Sequence, residues 1–471
     1  MITIKKQVRI SVVFLSLVLV NWGRSETLSV KEAKRKETNA AFDKLKLREE
    51  KSFVIDKSQD FLTIPTNKLL HGEFNVAQIV PQVKLHMFTH MEPEYFTGAD
   101  QYMACWANWA YVARSEDNRF YMAASDHLAK GCDINIYEYN PQQDTFKRIL
   151  DLDEKLGWTA DSYTDGKMHG LMGIMPDGTL WGATHFGVHP TEEWYATGYQ
   201  GSWLFSYNLK TGNFHNYGAP LKRSSLPCFT VDTKRGYLVG TGDSETLLCW
   251  DCNTASVRFA GYPPKGWIWW QRAMLLDAET GKFWSMDVSS KPNHFMSFDP
   301  ATLHFERTDI EVPVNPVNDK TGNLRGHTSR PAMDGFFYWG TGAGAFFKFK
   351  PEGPDGPQVI PNGVAWDEGR DILQMGLSPK GRYLYYQPKG YPSPLVQYDV
   401  MTGKKKAIAF LQDYYFEKYG YWLGSQVYGL EVSKDGDFVV MVMNGTFTGR
   451  NKSFGHPALV IVEIPESERP E

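Results

Sequence analysis

Several side chains of this sequence stand where their chemistry would count. His127 ends the run AASDH, His169 sits in GKMHGLMG and His185 lies in GATHFG. Arg272 lies in WWQRAMLLD and Arg330 in GHTSRPAMD. Histidines titrate near neutrality, so in a shared site one can accept a proton while another gives one. Arginine presents a planar fork that pairs bidentately with a carboxylate or sulfate. Together they are equipped for proton transfer on an anionic substrate. Asn108, Gln374 and Tyr428 stand at similar places in WANWAYVA, ILQMGLS and QVYGLEV. Asn108 and Gln374 would hydrogen-bond a polar substrate, and the Tyr428 phenol would share the acid–base work. Trp194 and Tyr199, in the segment HFGVHPTEEWYATGYQG (185–201), offer flat faces on which a sugar ring could stack.

A repeat would bring these distant residues together. Strand-like segments rich in aromatics, each followed by a polar turn, begin at 134 (INIYEYN), 203 (WLFSYN), 247 (LLCWD), 294 (HFMSFD), 345 (AFFKFK), 395 (LVQYD) and 458 (ALVIVE). Each is preceded by another short strand: RFYMAAS, GTLWGAT, RGYLVGTG, GKFWSMD, GFFYWGT, GRYLYYQ and GDFVVMV. Several of these follow Asp-Gly, Lys-Gly, Arg-Gly or Thr-Gly, as a tight hairpin turn requires. A period of roughly 40–50 residues with three or four short strands is the signature of a β-propeller. The expected fold is therefore all-β, a seven-bladed propeller over 71–471 behind a helical or loose leader over 26–70. The last unit has no fourth strand of its own, and EFNVAQIVPQV (73–83) is expected to close the ring. In a blade the first strand starts, and the second ends, at the same mouth of the central channel. The first-strand starts are Asn108, His169, Cys228, Arg272, Arg330, Gln374 and Tyr428. The second-strand ends are His127, His185, Asp243, Asp287, Tyr386 with Gln387, and Asn444.

Composition narrows the function. The chain has 471 residues and a formal charge of −4, which speaks against nucleic acid as a partner. With 15 Trp, 24 Tyr and 28 Phe it is too aromatic to be disordered. Residues 1–25 read as an export signal: Lys5, Lys6 and Arg9, then an apolar run from Ile10 to Val20, then Gly23 and Ser25 near a cleavage point. The run is short for a membrane span, so a secreted or periplasmic protein without membrane insertion is expected. The 5 cysteines cannot all pair within the chain, and Cys249 and Cys252 form a lone C-x-x-C best read as buried thiols. His86/His90 and His185/His189 have i, i+4 spacing, but in strand or loop context this is weak metal evidence. No nucleophile elbow, P-loop or dinucleotide fingerprint is present.

The architecture over roughly 100–465, with the motif GKMHGLMGIMPDGTLWGATHFG (166–187), resembles the secreted seven-bladed lyases that act on uronate polysaccharides. Ulvan lyases in particular look similar, as do their relatives acting on rhamnose–glucuronate linkages. The resemblance implies a β-elimination in which a His/Tyr set does acid–base work and an Arg neutralises the uronate carboxylate. It implies catalytic roles for His169, His185, His127 and Tyr428, with Arg272 and Arg330 as carboxylate partners. Two registers fit. In one, His169 and His185 are the family's His pair, but Cys228 and Asp243 stand where its Tyr and Arg would fall. In the other, Asn108 and His127 occupy the pair's places, and His169 and His185 those of Tyr and Arg. The expected function is a lyase acting on an anionic polysaccharide or oligosaccharide. Two alternatives remain: a non-catalytic carbohydrate- or protein-binding propeller, and a metal-dependent hydrolase or glycosidase using Asn108, Asp243, Asp287 and Asn444. A divalent ion, calcium or zinc, in or near the channel stays open.

Overall fold

A computed structural model describes residues 53–470 apart from 67, 89–106, 128–131, 160–161, 354–355 and 448. Residues 1–25, read above as an export signal, lie outside the described residues, as do Cys105 and His90. Among the described residues no helix is long and apolar enough to cross a membrane.

Seven antiparallel sheets form a seven-bladed β-propeller. Blade two shows the pattern: Gly173–Ile174 pairs with Thr179–Ala183, which pairs with Leu204–Asn208, which pairs with Phe214–Asn216. The turn between first and second strands needs a residue with positive φ. It is Asn118 at 66° in blade one, Gly178 at 91° in blade two and Gly436 at 73° in blade seven. Asparagine and glycine are the residues that adopt this conformation at low cost.

The aromatics pack blade upon blade. Trp181 of blade two stacks on Tyr217 at 5.0 Å, and Tyr217 leans on Trp250 of blade three at 5.3 Å. Phe295 of blade four stacks on Phe349 of blade five at 4.8 Å, and Phe120 of blade one meets Phe438 of blade seven at 5.7 Å. Burying each such ring contributes about 1.5–3 kcal/mol.

The ring closes from the N-terminal side, but by a strand that begins only at the last residue of 73–83. Blade seven consists of Val427–Val432, Phe438–Gly445 and His456–Glu463, and its fourth strand is Val83–Met87, with Leu85 opposite Val460. Val54–Asp56 adds a fifth strand, Val54 opposite Leu85. The segment 83–87 buries Val83, Leu85 and Met87, which alternation points into the core. Upstream, Pro81 cannot donate to a ladder, and only Asn75–Val76 is a strand, running parallel to Lys406 and Ala407 at the outer edge of blade six. The end of the expected leader thus belongs to the ring: Asp56 accepts from Tyr414 and Tyr419 and is ion-paired with Lys418.

Candidate functional site

The segments entering the seven first strands meet in the channel. Trp109 and Tyr111 come from blade one, His169 from blade two, Pro227 and Cys228 from blade three, and Arg272 from blade four; Arg325, Leu373 and Tyr428 come from blades five, six and seven. They enclose about 20 Å³, room for a single water. This is a waist rather than an open bore.

Above the waist the inner strand of blade two continues toward the mouth. Lys167 and His185 bridge antiparallel, with the Lys167 N–H donating to His185 O at 2.8 Å. Extended backbone sends alternate side chains to opposite sides. Met168 is buried in the packing between blades, so Lys167 and His169 share the channel side, with Lys167 nearer the mouth. The Lys167 ammonium stands 5.5 Å over the Trp109 ring, and Trp109 lies 4.6 Å from His127 and 5.9 Å from His169. The His169 and His185 rings are 4.8 Å apart.

Hydrogen bonding fixes one tautomer. Arg272 Nη1 is 2.6 Å from His169 Nδ1. A guanidinium only donates, so Nδ1 accepts and the hydrogen of the neutral ring is on Nε2. That Nε2 is buried with no hydrogen-bond partner. His185 Nδ1 is bonded to Ser225 Oγ.

Burial, then the nearby Arg272, holds His169 well below the ordinary histidine pKa. Burial, then Lys167 and Arg272, does the same to His185 and takes His127 down to about 3. Lys167 is lowered to about 7 by burial and then Arg272, against the opposing pull of Asp165, Cys132 and Asp126. Arg272 is lowered by burial. Burial also works against the charge of Arg325, but Asp371, Tyr428 and Tyr111 more than offset it. The cluster is therefore a set of neutral histidines among buried cations.

Of the residues singled out in the sequence, the structure brings His127, His169, His185, Arg272 and Tyr428 together. Tyr428 lies 6.2 Å from the His169 ring. The others do different work. Arg330 is not at this mouth. It donates to Ser378 O at 2.6 Å and Pro379 O at 2.9 Å, and lines the opposite opening with Arg114, Glu431 and Lys434. The first strand of blade five is Leu324–His327, so Arg325 takes the place assigned to Arg330. Asn108 and Asn444 rivet blade one to blade seven: the Asn108 N–H donates to Asn444 Oδ1, and Asn444 Nδ2 to Asn108 O, both at 2.7 Å. Gln374 Oε1 accepts from the Leu430 N–H at 2.7 Å, tying blade six to blade seven. The Tyr199 hydroxyl donates to Asp165 Oδ1 at 2.7 Å, and its buried ring lies 4.5 Å from Tyr163. Trp194, on the short helix Glu192–Ala196, packs 5.7 Å from Tyr163. These rings form a small core that stiffens the long loop rather than an open stacking platform.

The ligand set of a metal-dependent hydrolase is not assembled either. Asp243 accepts from Ser224 Oγ and the Ser225 N–H, and Asp287 is paired with Arg307 at 3.1 Å. His86 is packed between Phe53 and Phe146. Among the described residues, the carboxylates close enough to share a cation are Asp133, Asp151 and Asp153, beside the outer strands of blade one and not in the channel. Arg148 already donates to Asp151 there.

Sequence reasoning missed Lys167, Arg325, Trp109 and Ser225. Lys167 stood two places before a chosen histidine, on the same side of an extended strand.

No family model matches the chain, and no curated protein matches it. Among solved structures that match is one described as "Structure of U3-55K"; it is 9% identical, the match covers 76% of this chain and 96% of that one, and the TM-score is 0.45.

Proposed function

We propose that this chain is a secreted polysaccharide lyase that cleaves a uronic-acid glycosidic bond by β-elimination. The observation that supports this best is the pairing of Arg272 with His169 inside a cluster where buried cations outnumber their counter-charges. Among the described residues, the only ion pair to Lys167, Arg272 or Arg325 is that of Arg325 with Asp371, at 3.4 Å. A buried charge without a partner is costly, and an anionic substrate group would supply the partner.

The uronate carboxylate points down toward Arg272. There its developing enolate charge is neutralised, which makes the adjacent C–H acidic enough to remove. The waist is too small for a sugar ring, so the ring sits on the mouth side against Trp109 and His127. The His169 Nε2–H, which has no protein acceptor, donates to the bound anion. Tyr428, which lines the waist with Arg325, gives its proton to the leaving glycosidic oxygen.

The test is to mix purified protein with ulvan and other uronate polysaccharides and follow the ultraviolet absorbance of the unsaturated uronate. A lyase makes this chromophore; a hydrolase or a binding protein does not. If no uronate polymer yields it, the reading fails. If it appears and His169→Ala and His185→Ala both keep full rate, the reaction stands but the site is wrong.

A further inference from the structure

The elimination needs a base, and the histidines are poorly suited to it. His169 Nδ1 is occupied by Arg272 and its Nε2 carries the hydrogen, so it has no free lone pair. His127 and His185 are held far below their ordinary range, and a base whose conjugate acid is that strong gains little by taking a proton from carbon. The cluster contains another basic group. Lys167 is 7% exposed, and among the described residues no carboxylate ion-pairs with it. Its ammonium stands 5.5 Å over the Trp109 ring. Lysines are almost never this buried without a counter-ion, and those that are often serve as bases or nucleophiles.

We propose that Lys167 is the base of the elimination: its ε-amine, held over Trp109 on the mouth side of His169, removes the substrate proton. This rests on the lyase reading above. The Lys167 lone pair takes the hydrogen from the carbon beside the carboxylate, leaving an ammonium. The electrons of that C–H bond form the new carbon–carbon double bond, the bond to the glycosidic oxygen breaks, and that oxygen takes the Tyr428 proton. Exchange with water resets both groups, and no oxidant or reductant is needed.

The surroundings of the amine agree with this. Arg272 pushes it toward the neutral form, while Asp165, Cys132 and Asp126 pull the other way. His127, His169 and His185 complete the circle and are uncharged near neutrality. Asp165 accepts from Tyr199 and Thr184 and is itself pushed up to about 6 by burial. Asp126 accepts from the Asp133 N–H. Both carboxylates thus have partners other than the amine, which is left about half neutral at neutral pH.

The experiment uses the full chain and three proteins: wild type, Lys167→Met and Lys167→Arg. Activity on a uronate polysaccharide is followed by ultraviolet absorbance. Both variants should lose about 10²–10⁴-fold in kcat with KM changed only a few-fold. Lys167→Arg is the discriminating case, because it keeps the charge and loses the removable proton. If Lys167 merely positions or attracts the substrate, Lys167→Arg stays active, and the proposal is overturned. Independently of substrate, reductive methylation with ¹³C-formaldehyde and NMR titration should show one amine, absent in Lys167→Met, titrating near neutrality. A midpoint in the ordinary lysine range overturns the proposal whether or not the variants fold. If wild type releases no unsaturated product from any uronate polymer, the lyase reading falls and this assignment falls with it. If wild type is active and Lys167→Met keeps more than half its rate, only this assignment falls.

Discussion

Replacing Lys167 by Met should make the protein more stable, and by an amount that depends on pH in a defined way. The folded chain lowers this amine from 10.5 to about 7, and each pKa unit of that difference is worth about 1.36 kcal/mol. The product, about 5 kcal/mol, is the upper limit of what the fold loses by enclosing the charge. The side chain is only 7% exposed, so solvent does little to reduce it, although local relaxation will. The sign follows from proton counting. Above the unfolded pKa of 10.5 both states are neutral and there is no penalty. Between 10.5 and about 7 the unfolded chain holds the extra proton, so stability falls as pH falls. Below about 7 both states are charged and the penalty is complete. Methionine has similar volume and no charge, so the gain of Lys167→Met should be full below pH ~7 and fade to nothing near pH ~10. At roughly 2.1 cal/mol/K per residue, 471 residues give an unfolding entropy near 1 kcal/mol/K, so the limiting gain is about 5 °C. Calorimetry of wild type and variant across that range would read the difference, in which the other titrating groups largely cancel. A difference that does not vary with pH, or a variant less stable than wild type near pH 6, would show that Lys167 is not held as a buried unpaired amine.

Arg272→Ala should lower kcat/KM by about 10–100-fold, the worth of a charge-assisted hydrogen bond of about 1.5–3 kcal/mol. Arg272→Lys should restore little of it, since the fork geometry is lost; the loss of charge in Arg272→Ala should raise the His169 titration midpoint in histidine NMR spectra. Arg330→Ala should leave activity within about two-fold while costing about 1–3 kcal/mol in urea unfolding, because it strands the Ser378 and Pro379 carbonyls. A large activity loss in that variant would mean the two mouths of the channel are not independent. Leu85→Ala, on the closing strand at 2% exposure, should cost about 2–5 kcal/mol. A loss below about 1 kcal/mol would mean that 83–87 does not hold the ring shut.

Much of this architecture was legible in the sequence because each blade carries its own instructions. A Gly- or Asn-bearing turn and two aromatic-rich strands recur, and each unit can be recognised without knowing the others. Three site residues were legible for the same reason: His169 and Arg272 stand just before the first strand of their blade, and Tyr428 stands at the start of its own. In blade five the reading slipped. The ladder of blade five shifts register between Leu324 and His327, and this hid Arg325 behind Arg330, which reads just as well as a strand start. Closure slipped similarly, because Phe74, Val76, Ile79 and Val80 look as strand-like as Val83, Leu85 and Met87, and only Pro81 separates them. Tyr199 could not have been placed at all, since its partner Asp165 is on another loop and nothing local announces the bond.

Lys167 shows a different limit. A lysine in a Gly-Lys-Met-His run reads as a solvated residue, because burial of a lysine is an outcome of the whole ring and has no local signature. The ring also gives that burial its meaning. A channel needed only for structure could be filled by valines, serines and water, as the waist partly is with Leu373 and Cys228. This chain carries a net charge of −4, yet its channel gathers Lys167, Arg272 and Arg325 against, among the described residues, the single ion-paired carboxylate Asp371. Long-range attraction of an anion by the protein as a whole is therefore not what the charges are arranged for. The cost of enclosing them falls on the folded state and is carried by the packing of seven blades. What it maintains is a short-range imbalance at one mouth, which the anionic substrate group proposed above would relieve at Arg272.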